Sequence, residues 1–114
     1  MLSIDETRPR VWIEHEETKT RYLIGPIEPR DNQKLLKRAR DKQGNIDFVR
    51  FNGLLVEHAV FEWDGVGARG VVAPCSAENK IKHGERFGKI ANFISEKASD
   101  PALFLEEEED AKND

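Results

Sequence analysis

The chain has 114 residues, 38% of them apolar and 35% charged, with one cysteine and a formal net charge of −4. These figures fit a single domain with a small core and a charged exterior, and no apolar run approaches the roughly 20 residues needed to span a bilayer. One cysteine excludes an intrachain disulfide, and the opening MLSIDETRPR lacks the apolar stretch of a secretory signal, so a cytoplasmic protein with no membrane partner is expected.

The charge is uneven. Residues 1–50 carry 11 Lys/Arg against 9 Asp/Glu, whereas the last nine residues, EEEEDAKND, carry one lysine against six acids. Without that tail the body is close to neutral. It therefore lacks the domain-wide positive field on which non-specific nucleic-acid binding depends.

Taken in chain order, Val11-Trp12-Ile13-Glu14-His15 and Thr20-Arg21-Tyr22-Leu23-Ile24 read as two strands of a hairpin, with a polar turn between them and Gly25-Pro26 as its end. Asp31 is placed to cap a helix over residues 32–42 that buries Leu35, Leu36 and Ala39 and stops at Gly44. Asp47 caps the next helix, with Ile46 and Phe51 set as a hydrophobic staple. Phe48, Phe51, Leu55 and Ala59, beside Val49, Val56, Val60 and Trp63, give that helix a wide apolar face running to Trp63. Gly53 within it suits a close approach by a neighbouring helix or the hairpin. The stretch GVGARG, residues 65–70, reads as a flexible connector. Ser76 then caps a short helix that Gly84 interrupts, and a last helix runs from Glu85 to about Lys97 with Phe87, Ile90, Ala91 and Ile94 inward. The expected fold is α+β: residues 1–105 form one domain, an N-terminal β-hairpin packed on three to four helices, and residues 106–114 form a disordered acidic tail.

Candidate chemistry is sparse. Gly65, Gly67 and Gly70 fit G-x-G-x-x-G, but a dinucleotide loop needs a strand before it and a helix N-terminus after it to receive the pyrophosphate. Here a helix is expected before Gly65, and Pro74 follows soon after Gly70. His15, His58, His83 and Cys75 form none of the short-spaced pairs that zinc sites use. The carboxylates cluster in solvated runs. No catalytic, cofactor or metal site is expected, and the chain does not read as an enzyme. Candidate partner-binding residues are Lys34, Lys37 and Arg38 on the basic helix and the apolar patch Leu103, Phe104 and Leu105. The basic helix has no aromatic stacking platform and would face competition from the acidic tail, so a protein partner is expected ahead of nucleic acid.

Residues 46–98 carry a further pattern. A core helix runs into Val60-Phe61-Glu62-Trp63-Asp64-Gly65, and a glycine-containing loop leads to Val72-Ala73-Pro74-Cys75-Ser76-Ala77-Glu78-Asn79. A helical pair with Phe87, Ile90, Ala91 and Ile94 follows. This order resembles the small tail assembly chaperones of long-tailed bacteriophages and prophages, although Cys75 stands where that family would have a phenylalanine. The resemblance implies a non-enzymatic protein of the bacterial host cytoplasm, left out of the mature virion. Its partners would be the tape measure protein, which it keeps soluble, and the tail tube protein, which it helps recruit. The alternative is a small nucleic-acid-associated regulator with a basic helix and an autoinhibitory acidic tail.

Overall fold

The computed structural model describes residues 9–105, so the expected acidic tail lies outside the described residues. The class is α+β as expected, but the sheet has three strands rather than two. Strand β1 (Val11–His15) pairs antiparallel with β2 (Thr20–Ile24), and β2 pairs antiparallel with β3 (Val60–Asp64). Helix α1 (Pro29–Arg38) and helix α2 (Phe48–Ala59) lie between β2 and β3 in sequence. A two-stranded ribbon, β4 (Gly67–Ala68) and β5 (Val71–Val72), follows β3. Helices α3 (Ala77–Arg86) and α4 (Gly88–Ala98) come next, and residues 101–105 are helical.

β3 corrects the sequence reading, which carried the core helix through Trp63. Helix α2 stops at Ala59, and Val60 is extended with φ −98° and ψ 128°. Its register with β2 shifts by one residue, with Ile24 opposite Val60 and Leu23 opposite Glu62, so Phe61 is a β-bulge. The bulge lets Val60 and Trp63 both face the core although they are three residues apart. In an unbulged strand, inward positions recur every second residue. A three-residue spacing therefore looked helical.

The inner face of the sheet buries Val11, Ile13, Tyr22, Ile24, Val60 and Trp63 in one core with Leu55, Ala59, Ile90 and Ile94 of the helices. Two cap assignments hold. The Asp47 carboxylate accepts from the backbone N–H groups of Val49 and Arg50, and the Ser76 hydroxyl accepts from that of Asn79. Asp31 is displaced from its expected place. Helix α1 begins at Pro29, and Asp31 sits inside the first turn, where it accepts from the backbone N–H of Glu28 at 3.1 Å. The same helix ends at Arg38 instead of residue 42. The Asp41 carboxylate draws the N–H groups of Gln43 and Asn45 into a turn that competes with further helix.

Gly84 does not interrupt α3. It lies inside the helix and is buried where α3 crosses α2. A Cβ there would collide with the Asn52 carbonyl, and one on Gly53 would come within 2.8 Å of the Ile81 carbonyl. The two glycines bring the backbones together, and the break falls at Phe87 (φ −117°, ψ 78°).

The GVGARG stretch is also built differently from the expected connector. It holds the β4–β5 ribbon, whose two-residue turn has Arg69 at φ 53° and Gly70 at φ 77°. Positive φ at both central residues is the signature of a type I′ turn. The ribbon is fastened at its base by the Ala73 N–H to the Val66 carbonyl (2.9 Å) and by the Trp63 indole N–H to the Ala73 carbonyl (2.7 Å).

Candidate binding surfaces

The sequence-derived partner residues fall into two groups that differ in exposure. Lys34, Lys37 and Arg38 are exposed on α1. Arg38 approaches Glu57 at 3.9 Å, and its carbonyl accepts from the Arg50 guanidinium. The Arg40 guanidinium donates to the Gly44 carbonyl. Part of the basic charge around α1 is thus engaged by the chain itself. The Leu103-Phe104-Leu105 patch is not an exposed hook. Phe104 is 2% exposed within the core, and Leu103 packs against it. A phenylalanine three or more residues beyond the last periodic helix gives no local sign of burial. Phe104 is taken in because the Ile27 N–H bonds the Ala98 carbonyl and holds the 25–29 loop against the end of α4.

Two other surfaces carry more. The first is the outer face of the sheet. Trp12 and Leu23 are cross-strand partners there, Glu62 stands opposite Leu23 on β3, and Phe61 adds a second ring from the bulge. Trp12 is 42% exposed and Phe61 41%, with Leu23 half-buried. The Arg10 guanidinium lies 3.6 Å from the Phe61 ring centroid, and that of Arg21 lies 4.9 Å from the Trp12 ring. Gly25 gives the Phe61 ring its room, since a Cβ there would lie 2.8 Å from it. At its other end the same face is charged, with Glu14 opposite Arg21 and Arg21 4.0 Å from Asp64.

The second is an aromatic cleft centred on His83. The His83 Nε2 and the Tyr22 hydroxyl share a hydrogen bond of 2.7 Å. The Trp63 and Phe87 rings stand edge-on to the imidazole at 5.3 and 5.2 Å. Burial pushes the His83 pKa down and the Tyr22 pKa up, so both groups are held uncharged. The cleft has two lobes that share Val66, Gly67, His83 and Phe87. One, of about 250 Å³, reaches Thr18, Thr20 and Ile90. The other, of about 150 Å³, reaches Trp63, Asn79, Lys82 and Arg86. The Thr18 hydroxyl bridges to Thr20 at 2.7 Å and to His15 Nδ1 at 2.8 Å, which extends the polar floor of the first lobe. Sequence reasoning missed this site, because Tyr22 and His83 meet only in the folded chain.

The described residues include no group of three or more His, Cys, Asp or Glu placed to hold a metal ion, and no helix long and apolar enough to cross a membrane. The Cys75 thiol is partly buried, and that burial raises its pKa. Comparison with models of known protein families, with curated proteins and with solved structures finds no match to this chain.

Proposed function

We propose that the protein is a tail assembly chaperone of a long-tailed phage or prophage. In this role it binds the tape measure protein and helps recruit tail tube subunits. The observation that carries the proposal is the outer face of the sheet, where the half-exposed rings of Trp12 and Phe61 and the Leu23 side chain stand beside two arginines and Glu62. A tape measure protein is a long helical chain whose apolar faces aggregate when naked, and an antiparallel sheet with an uncovered apolar face is a natural seat for such a helix. The area is small, which suits contacts repeated along a client and later displaced. The charged exterior keeps such a coated assembly soluble.

The nucleic-acid alternative has less behind it, since Arg38, Arg40 and Arg50 contact the chain's own groups. The deciding experiment is co-expression with the tape measure protein encoded beside this gene. A soluble complex recovered through a tag on either chain supports the chaperone. A tape measure protein that stays insoluble, or neighbouring genes that are all metabolic, would sink it.

A further inference from the structure

The geometry points to a second binding site, the His83 cleft, whose occupant is an aromatic side chain of another protein flanked by carboxylates. The site stands whether or not the protein is a tail chaperone, because it uses no residue of the outer sheet face.

Three observations carry it. The smaller lobe, about 150 Å³, is walled by Trp63, His83 and Phe87. An open depression of about that volume has room for a benzene-sized ring. Edge-on and offset contacts around such a ring are the arrangement aromatic groups prefer. The rim is cationic. Lys82 and Arg86 line the lobe, and no carboxylate lines either lobe among the described residues. The Lys82–Glu78 pair at 3.0 Å joins two side chains 70% and 77% exposed, so it holds Lys82 only weakly and leaves it able to turn to an incoming acid. Finally, the walls are pre-formed. Tyr22 fixes the imidazole, and the Ala73 carbonyl fixes the Trp63 indole, so neither ring has to be ordered on binding.

The chain's own aromatic-acidic segment, Phe104 followed by Glu106 to Asp110, is not this occupant, because Phe104 already fills the core. An exposed aromatic residue within an acidic stretch of a partner satisfies both the ring pocket and the cationic rim.

The test uses the full ¹⁵N-labelled chain and three capped pentapeptides: Glu-Glu-Phe-Glu-Glu, the same peptide with Ala for Phe, and Ser-Ser-Phe-Ser-Ser. The first should shift the Trp63 indole N–H and the amides of Val66 and Phe87, the alanine peptide should shift none of them, and the serine peptide should bind about five- to tenfold more weakly. Lys82→Ser combined with Arg86→Ser changes only exposed side chains, so the fold is retained. That double variant should bind the acidic phenylalanine peptide about five- to tenfold more weakly and the serine peptide unchanged. Shifts confined to Trp12 and Phe61, equal binding of the alanine peptide, or no shift at all would each overturn the site. Phenylacetate binding as tightly as the peptide would overturn the peptide occupant in favour of a free aromatic acid.

Discussion

The Tyr22 hydroxyl on β2 and His83 Nε2 on α3 lie 2.7 Å apart across 61 residues of sequence, and burial holds both groups neutral. This contact couples stability to pH. The pKa of His83 in the folded chain lies below its value of about 6.5 in the unfolded chain. Between those two values the unfolded chain carries a proton that the native chain does not. The stabilisation from keeping the ring neutral is therefore complete above about pH 6.5 and is lost as pH falls from there towards the folded pKa, below which it changes no further. The urea midpoint should drop between about pH 7.5 and 5.5, and His83→Gln should flatten that part of the profile. An identical slope in the variant would show that the acid sensitivity arises elsewhere.

The α2–α3 crossing gives a sharper test of packing. Gly84→Ala places a methyl group against the Asn52 carbonyl and the Val56 side chain, in backbone that cannot step aside. It should destabilise by about 1–3 kcal/mol in chemical denaturation, although alanine is the better helix former. Gly88→Ala meets only the Asn52 side chain at 3.4 Å and should be neutral or stabilising by up to about 1 kcal/mol. Equal effects at the two positions would mean that the helices do not touch at Gly84.

The β4–β5 turn puts Arg69 at φ 53°, a conformation costly for a side chain of its type. Arg69→Asn should stabilise by about 0.5–1 kcal/mol, because asparagine tolerates that region. Gly70→Val should destabilise by about 1–2 kcal/mol. If GVGARG were an unstructured link, neither substitution would move the denaturation midpoint.

These elements show what the sequence could and could not display. The β1–β2 hairpin and the Asp47 and Ser76 caps rest on neighbours within a few residues, so local pattern was enough. Gly84 was misread because a glycine inside a helix looks like a break until the facing backbone is known. β3 was misread because the Phe61 bulge gives Val60 and Trp63 a helical spacing. The ribbon at residues 67–72 uses Arg-Gly where Asn-Gly would have announced a type I′ turn. The His83 cleft had no local signature, since its ring partners come from β2, β3 and the end of α3.

Phe104 separates a core role from a docking role. At 2% exposure its truncation to alanine should cost about 3–5 kcal/mol, a large part of the stability of a domain this size. Loss of partner binding by Phe104→Ala would then track unfolding, and circular dichroism would register it. A variant with an unchanged melting curve would place the ring outside the core.

The outer sheet face should behave in the opposite way. Trp12→Ser and Phe61→Ser remove half-exposed rings that lie against Leu23 and Gly25 as well as under the arginines, so each should cost about 1–2 kcal/mol, less than Phe104→Ala. As aromatic anchors of a client helix, the same two rings should carry much of the binding energy. The double variant should retain native circular dichroism and lose at least about tenfold in affinity for the tape measure protein, read by quantitative pull-down. Lys34→Ser with Lys37→Ser, on the exposed surface of α1, should leave that affinity within about twofold. Should the lysine pair matter and the aromatic pair not, the client seat would move from the sheet to α1.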